Sequence, residues 1–395
     1  MNKLTKILIF ATVFLIPTYL IRFNLFKIPT NILEILIYLT FVSWIFEKPQ
    51  IDWKKLYASY KIYIFSIALI FIGLILSTLV NKNYQTGFGI IKGWFFDPIL
   101  FGFVLFQTIK EKEEVEKILK TLYFSAFAVS LAALEYFFYG YLTYDGRLQA
   151  FYNSPNYLAM YLSPAIFIGF YLFKIQNSKL IQNSKFKIQN YIIPLSLFII
   201  LFIIYLTYSY AAWVSIIISL SIVRFITKKL SKKFILISLL IIFIAFLTQL
   251  GNLKLNNAFS ERSSLNSRMM IWKSSTLMLK NNLVFGIGPG NFQNKYLEYQ
   301  KYFPPYLEWA VPQPHNLYLA FWLQSGIIGF VGFAILILFW FKNILAQIKN
   351  NPVLAVFAGI IIYILLHGIF DTTYWKNDLA LVFWIALFLT KKQEK

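Results

Sequence analysis

Long apolar runs, separated by short polar segments, make up most of this chain. The runs are continuous rather than alternating, which indicates helices, and many approach the roughly 20 residues that cross a bilayer. Within lipid, only helices or closed barrels satisfy the hydrogen bonds of the backbone. The pattern therefore predicts an all-α, polytopic membrane protein with about 12 transmembrane helices, placed near residues 5–23, 28–46, 61–80, 87–107, 118–139, 156–173, 191–207, 209–226, 234–250, 317–341, 352–369 and 377–390.

One long polar segment, residues 251–316, interrupts this pattern. It divides the chain into three predicted parts: nine spans with short loops over residues 1–250, the polar segment itself, and three further spans over residues 317–395. Within the segment, the spacing of apolar residues over 264–280 predicts a short amphipathic helix. Because the rest of the chain is largely apolar, we expect the function to reside in this segment and in loops that fold toward it.

Composition narrows the class of protein. The 395 residues are 59% hydrophobic and include no cysteine, which excludes disulfides and thiolate metal sites. The formal net charge of +21 could indicate a nucleic-acid partner, but lysines at the ends of spans explain it better by contact with anionic lipid headgroups. We therefore expect membrane lipids rather than nucleic acid as partners.

The distribution of basic residues predicts the orientation of the spans. With a cytoplasmic N-terminus, the loops on the cytoplasmic side carry most of the lysines and arginines. The short loops on the other side carry only Arg22, Lys27, Lys82, Arg147 and Lys376. Both termini are thus expected in the cytoplasm, and residues 251–316 are expected to face the periplasm or the exterior.

Ionisable residues inside predicted spans form a second group of candidates: Glu34, Lys92, Asp97 and Glu135. Such residues are costly in a membrane and either pair with each other or line a hydrophilic cavity. Lys92 and Asp97 are five residues apart, so they do not share a helix face, and each needs a partner elsewhere.

Polar motifs on the outer side carry the candidate chemistry. Arg147 precedes Asn153-Ser154-Pro155-Asn156, in which Asn153 or Ser154 caps the next helix. Arg268 lies near the start of the predicted amphipathic helix, with Trp272 one turn later, and a guanidinium beside helix amides suits a phosphate. Each arginine has an alternative interpretation as a structural or solvated side chain.

Glycines and a histidine complete the polar segment. Gly286, Gly288 and Gly290 allow close approach to the backbone but match neither a P-loop nor a Rossmann turn. His315 follows two prolines, and Asn316 is placed to cap the next helix. His315 is either a hydrogen-bonded structural group or the base of a reaction. The other histidine, His367, is expected to bond Asp371 one turn away, in a structural role.

Taken together, these motifs resemble the O-antigen ligase and O-antigen polymerase family of bacterial envelope proteins. The resemblance rests on Arg268-Met269-Met270-Ile271-Trp272, on the glycine segment from Leu283 to Phe292, on Pro314-His315-Asn316-Leu317, and on Gln324-Ser325-Gly326-Ile327-Ile328-Gly329. Weaker similarities are Arg147 with the Asn153–Asn156 turn, and Asn377-Asp378 at the last span.

The resemblance implies transfer of a glycan from an undecaprenyl-pyrophosphate carrier to an acceptor hydroxyl, in the bacterial inner membrane and without metal or other cofactor. It implies that His315 is the catalytic base and that Arg268 stabilises the pyrophosphate. The remaining predicted substrate-binding residues are Arg147, Tyr210, Trp272, Asn316, Gly288 and Gly290. The sequence departs from the family at Tyr210, where ligases usually carry an arginine, so that Arg147 could supply the missing charge.

Four functions remain open at this stage. The first is a ligase that delivers the glycan to a lipid or glycolipid acceptor such as the lipid A core. The others are an O-antigen repeat polymerase, a protein O-oligosaccharyltransferase, and a transporter of lipid-linked glycans. Transporters usually consist of related halves, and this sequence has no convincing internal repeat.

Overall fold

Helices dominate the computed structural model, which describes residues 3–25, 28–182, 189–251, 263–305 and 308–393. The helices of these ranges are α1 (Lys3–Phe14), α2 (Ile32–Phe46), α3 (Trp53–Val80), α4 (Tyr84–Ile90), α5 (Asp97–Thr108), α6 (Lys112–Phe138), α7 (Pro155–Gln182), α8 (Gln189–Leu206), α9 (Tyr210–Ile226), α10 (Lys232–Leu247), α11 (Ser264–Asn281), α12 (Phe292–Tyr299), α13 (Leu317–Gln347), α14 (Pro352–His367) and α15 (Asn377–Gln393). A π-helical stretch, Ile91–Phe96, joins α4 to α5, and 3₁₀ turns cover Ile16–Leu20 and Gln300–Tyr302.

The helix lengths support a membrane protein. Five helical segments of the described residues are long and apolar enough to cross a bilayer: Trp53–Val80, Tyr84–Thr108, Lys112–Phe138, Pro155–Gln176 and Leu317–Gln347. Shorter apolar helices are Ile32–Phe46, Tyr191–Leu206, Tyr210–Ile226, Pro352–His367 and Asn377–Thr390. The all-α membrane class is thus confirmed, whereas a total of 12 crossings stays a prediction.

The first predicted span differs most from the structure. α1 ends at Phe14, and Pro17, which lacks a backbone N–H, lies in the 3₁₀ turn that follows. Strands β1 (Arg22–Leu25) and β2 (Ile28–Asn31) then form an antiparallel hairpin, the one sheet among the described residues. Helix α2 begins only at Ile32, because the Asn31 side chain caps it by accepting a hydrogen bond from the backbone of Glu34 at 3.0 Å.

Small residues bring α3 and α13 into close contact. A Cβ added to Gly73 on α3 would overlap the backbone of Gly329 on α13, and one added to Gly332 would crowd the backbone of Ser66. Packing through small residues of this kind is typical of membrane helices, because close approach maximises van der Waals contact. It fixes α13, and with it the start of α13 at Leu317, against the bundle.

A break within α13 anchors the preceding loop. At Gly326 the backbone turns to φ +65°, and the interrupted helix exposes the carbonyl of Leu323 and the amide of Ile327. The loop supplies both partners, since the Ile287 amide donates to Leu323 at 2.6 Å and the Ile327 amide donates to the Val284 carbonyl at 3.0 Å. Asn83 further bonds Asn291 at 2.7 Å, which ties the loop to the turn between α3 and α4.

Two hydrophobic clusters organise the packing. The larger one contains most of α14 and α15, and α14 packs against α7, α9 and α15. The smaller one belongs to the polar segment and joins Met270, Met278, Ile287, Phe292 and Tyr296 with Leu323 of α13. The polar segment is therefore folded onto the start of α13, beside the loop 368–376 that connects α14 to α15.

Candidate functional site

Asp371 lies at the centre of a polar cluster where several helices end. It follows α14, and its carboxylate is almost entirely buried, with 3% of the side chain exposed. The backbone holds it in place, because its amide donates to the His367 carbonyl at 3.0 Å and its Oδ1 accepts from the Thr372 amide at 2.9 Å. Three other elements reach this carboxylate: the turn before α13, helix α11 and the start of α7.

His315 contacts Asp371 directly. Its Nδ1 lies 3.0 Å from Oδ1 of Asp371, while a third of the side chain remains accessible. The backbone of His315 has φ +46°, an unusual conformation for a residue with a side chain. A hydrogen bond two residues later stabilises this conformation, because the Leu317 amide donates to the Gly368 carbonyl at 2.6 Å.

Asn316 couples the histidine to helix α13. Its side-chain oxygen accepts hydrogen bonds from the amides of Tyr318 and Leu319 at 3.0 and 2.9 Å, so the predicted cap is confirmed. Its side-chain nitrogen donates to the Ile369 carbonyl at 2.9 Å. With both ends of its amide engaged by protein, Asn316 positions the turn rather than presenting a free polar group.

Arg268 and Trp272 approach the cluster from α11, which occupies the predicted amphipathic helix. The guanidinium Nη2 of Arg268 lies 4.0 Å from Oδ2 of Asp371, at the outer limit of an ion pair, and Nη1 donates to Ser264 at 2.9 Å. Its Nε is buried without a hydrogen-bond partner among the described residues. One turn later, Trp272 donates from its indole to the His315 carbonyl at 3.1 Å. Arg268 thus retains donor capacity for an anion.

Arg147 joins the cluster through Asn156. Its Nη2 donates to the side-chain oxygen of Asn156 at 2.6 Å, and the nitrogen of Asn156 donates to Oδ2 of Asp371 at 2.9 Å. Its Nε donates to the Thr207 carbonyl at 2.8 Å, in the turn between α8 and α9. That turn is as tight as predicted, with α8 ending at Leu206 and α9 starting at Tyr210.

Electrostatics fix the charge state of the central carboxylate. Burial alone raises the pKa of Asp371, but the His315 ring and the Arg268 guanidinium outweigh it, so the pKa lies well below the ordinary value. The carboxylate is therefore ionised at neutral pH. Burial also lowers the pKa of Arg147, because its guanidinium is removed from water while Asp145 and Asp371 offset this only in part.

Tyr210 lies close enough to Arg147 for the two groups to interact electrostatically. Its hydroxyl is 3.5 Å from the side-chain oxygen of Gln249, at the limit of hydrogen bonding. Tyr210, where the resemblance led us to expect an arginine, therefore lies within electrostatic range of the Arg147 guanidinium.

Gly288 and Gly290 have different neighbours. The nearest atoms to Gly288 come from Asn81, Ser77 and Asn291, and the amide of Gly290 donates to Gln324 at 3.3 Å. At φ +81°, a Cβ on Gly290 would also crowd the side chain of Thr86. These contacts join the loop to α3, α4 and α13, whereas the other predicted site residues gather around Asp371.

The sequence prediction paired Asp371 with His367, whereas the structure pairs it with His315. His367 instead bonds the hydroxyl of Tyr363 through Nδ1 at 2.7 Å, within the buried part of α14. An aspartate in the short loop between two apolar spans, on the predicted side of His315, was a usable signal in the sequence. Asn156 was noted only as a family similarity.

Lys376 is a further cation near the cluster that was not predicted. Its ammonium group lies 3.5 Å from the ring centre of Tyr157 and 3.4 Å from the hydroxyl of Tyr19. Tyr157 directly follows Asn156, so the start of α7 contacts both Asp371 and this lysine.

The geometry defines what the cluster can do chemically. An ionised Asp371 favours the histidine tautomer with the proton on Nδ1, which leaves the lone pair on Nε2 available to accept a proton. Arg268 and Arg147 flank the same carboxylate and offer guanidinium donors to an anion. Among the described residues, no group of three histidine, aspartate or glutamate side chains is arranged to hold a metal ion.

The fold and this cluster define a helical membrane protein whose polar site lies where its helices end. The model of the O-antigen ligase family matches residues 195–334, which include Tyr210, Arg268, Trp272, Gly288, Gly290, His315 and Asn316. This match supports the assignment of the chain to the O-antigen ligase family, a family of membrane glycan ligases and polymerases. No curated protein matches the chain.

Proposed function

We propose that this protein transfers a glycan from an undecaprenyl-pyrophosphate carrier to the hydroxyl of a lipid or glycolipid acceptor. The observation that carries the proposal is the convergence of His315, Arg268 and, through Asn156, Arg147 on the buried carboxylate of Asp371. Asp371 thereby gathers a base and two guanidinium groups around one carboxylate. The family match supports the same class of reaction.

In the proposed reaction, His315 accepts the proton of the acceptor hydroxyl. Nε2 takes the proton as the hydroxyl oxygen attacks the anomeric carbon of the glycan, and Asp371 stabilises the resulting imidazolium through Nδ1. The bond from the anomeric carbon to the pyrophosphate oxygen breaks with its electron pair. The products are the glycosylated acceptor, undecaprenyl pyrophosphate and a protonated histidine that returns its proton to water.

The two arginines act on the leaving group. Negative charge accumulates on the pyrophosphate as the bond breaks, so donors placed at that oxygen stabilise the transition state. We assign this role to Arg268, whose side chain is partly exposed and whose Nη2 lies 4.0 Å from Asp371. Arg147 supplies the second charge that the family usually has at the position of Tyr210, and the tyrosine hydroxyl adds a neutral donor.

The proposed setting is the bacterial inner membrane, with both termini in the cytoplasm and the site facing the periplasm or exterior. The scarcity of lysine and arginine in the short loops on the site's side supports this orientation. In the same proposal, residues 1–250 and 317–395 contribute the transmembrane spans, and residues 251–316 form the long segment on the outer side.

An assay of product identity tests the proposal. Purified protein in nanodiscs receives a defined undecaprenyl-pyrophosphate glycan and a panel of lipid, glycolipid and peptide acceptors, and products are identified by mass spectrometry. We expect the glycan on a lipid or glycolipid acceptor. A ladder of extended donor would identify a polymerase instead, a glycosylated peptide would identify a protein transferase, and donor binding without any product would contradict glycan transfer.

A further inference from the structure

A groove runs along the accessible face of α11, and Phe303 also lines it. It has a volume of about 430 Å³, within the range of small-molecule sites. Trp272, Lys273, Thr276 and Lys280 line it and recur at helical spacing, so they share one face of α11. The opposite face, with Met270 and Met278, is buried in the smaller hydrophobic cluster.

Trp272 connects this groove to the candidate catalytic histidine. The indole that lines the groove is the same one that donates to the His315 carbonyl at 3.1 Å, and it packs near Phe370 with ring centres 6.4 Å apart. These contacts fix the ring. A molecule in the groove would therefore lie beside His315, against an aromatic surface that needs no rearrangement.

The groove extends along α11 from Met269, which directly follows Arg268, to Lys280. Arg268 precedes Trp272 by one helical turn, whereas Lys273, Thr276 and Lys280 follow it toward the C-terminal end of α11. From Lys273 to Lys280 the helix rises by roughly 10 Å, at about 1.5 Å per residue. The polar part of the groove, with both lysines, thus lies on the other side of Trp272 from Arg268, so that a pyrophosphate at Arg268 and an acidic group at the lysines would be separated.

The charge of the groove indicates the chemistry of its ligand. Lys273 and Lys280 are both exposed, and no carboxylate of the described residues lies within salt-bridge distance of either one. The Thr276 hydroxyl donates to the Trp272 carbonyl at 2.8 Å, which leaves its oxygen free to accept. An apolar ring, a hydroxyl and two ammonium groups suit a sugar that has an apolar C–H face and an acidic substituent.

We infer that this groove binds the acceptor as an acidic saccharide, with Trp272 against the sugar ring and Lys273 and Lys280 facing a carboxylate or phosphate. The inference rests on the proposed function, since it places the acceptor hydroxyl beside His315. It adds the acceptor's chemical class, which the cluster around Asp371 does not specify.

Binding of three matched sugars tests the inference without any transfer reaction. The probes are methyl β-glucoside, methyl β-glucuronide and methyl β-glucoside 6-phosphate, titrated by saturation-transfer NMR against the full protein in nanodiscs. We expect the two acidic sugars to bind more tightly than the neutral one, and whichever of the two binds more tightly identifies carboxylate or phosphate as the acid. Equal binding of all three by the wild-type protein would overturn the inference.

A charge-removal variant locates the binding. Lys273→Gln combined with Lys280→Gln should weaken both acidic sugars by about five- to tenfold, as expected for two exposed charge contacts, and leave the neutral sugar unchanged. The control is Lys295→Gln on α12, which removes an exposed lysine paired with Glu298 and should bind as the wild type does. Unchanged acidic binding in the double variant, or equal weakening in the control, would contradict the assignment.

The two proposals fail separately. If the wild-type protein transfers glycan while the double variant binds the acidic sugars normally, the proposed acceptor site is contradicted and the proposed glycan transfer is supported. If the acidic sugars bind through the two lysines but no acceptor is glycosylated, the proposed saccharide site is supported and the proposed glycan transfer is contradicted.

Discussion

Asp371 determines what the neighbouring side chains can do. Its Oδ1 engages His315 at 3.0 Å, and its Oδ2 engages Asn156 at 2.9 Å and faces Arg268 at 4.0 Å. A buried carboxylate that holds a histidine by Nδ1 sets the tautomer and the orientation of the ring, as in the triads of hydrolases. At the residue scale, therefore, Asp371 is expected to act through His315, as a positioning residue.

Replacing this acid should impair transfer without unfolding the protein. We expect Asp371→Asn to slow transfer by about 10² to 10⁴-fold, because the amide cannot favour the same histidine tautomer. The matched control is Asp52→Asn at the start of α3, where the side chain accepts from the Lys55 amide and asparagine caps equally well. Steady-state rates of both variants, with thermal unfolding alongside, make the comparison. A near-wild-type rate for Asp371→Asn would contradict the role of this residue.

The lowered pKa of Asp371 also predicts a dependence of stability on pH. Because the pKa is lower in the folded state than in the unfolded state, ionisation stabilises the fold above the unfolded value of about 4. That contribution is lost as the pH falls toward the folded pKa. We expect the melting temperatures of wild type and Asp371→Asn to differ most at neutral pH and to converge on acidification. A constant difference would contradict this charge state.

The pairing of Arg147 with the turn at Tyr210 predicts a rescue. Arg147→Ala should lower the affinity for the pyrophosphate donor, since it removes a guanidinium beside the site. Adding Tyr210→Arg should restore part of that affinity, because it places an arginine at the position usual in the family. Donor titration of the two variants and of Tyr210→Phe, the control that adds no charge, measures this. No recovery in the double variant would indicate that Arg147 has a structural role.

At the scale of elements, the glycine segment acts as a structural connector. Its backbone fills the break in α13 by exchanging hydrogen bonds at Leu323 and Ile327, and its glycines fit against α3 and α4. The sequence prediction gave Gly288 and Gly290 a role in substrate binding, which stays a prediction. The contacts of both glycines with α3, α4 and α13 indicate that they fix the position of the polar segment relative to the bundle.

The break in α13 can be tested with two glycine substitutions. Gly326→Ala should destabilise the protein by at least about 2 kcal/mol, because it places a side chain at positive φ and against the Val284 carbonyl. Gly89→Ala on α4 is the control, since its Cβ would meet nothing within 4 Å and alanine favours a helix. Thermal unfolding in detergent compares the two. Equal stability would contradict a structural role for the break.

At the scale of the whole molecule, local patterns predicted helices and caps well. Continuous apolar runs located most of the helices, and the polar residues of the 207–210 turn, the Asn316 cap and α11 followed from propensities that act over a few residues. Strands β1 and β2 were not predicted, because apolar side chains in a short loop between two spans resemble the end of a helix.

Contacts between distant segments could not be predicted from such patterns. His315 and Asp371 are 56 residues apart, and hydrogen bonds from the turn before α13 to the loop after α14, from Leu317 to Gly368 and from Asn316 to Ile369, help to bring them together. The expected pairing of His367 with Asp371 used the only information available locally, which is helical spacing. In the structure His367 Nδ1 instead bonds the hydroxyl of Tyr363, one turn earlier on α14.

The charged residues of the membrane region also pair across helices. Lys92, in the π-helical stretch, bonds Glu34 of α2 at 2.7 Å, and Tyr38 of α2 donates to Asp97 of α5 at 2.7 Å. Lys92 and Asp97 thus each have a partner on another helix, as the sequence predicted. These contacts favour the structural interpretation of the pair over a cavity lining, since they join two neighbouring segments of the bundle.

The most direct test of the account separates donor binding from transfer in His315→Ala. Both are measured on the same nanodisc samples, with the lipid-linked donor and an acceptor established for the wild type. His367→Gln, which changes the chain's other histidine but keeps a polar partner for Tyr363, is the control. We predict that His315→Ala binds the donor within about threefold of wild type but transfers glycan at least about 10³-fold more slowly, as expected on loss of a general base. Transfer by His315→Ala at the wild-type rate would contradict the central claim.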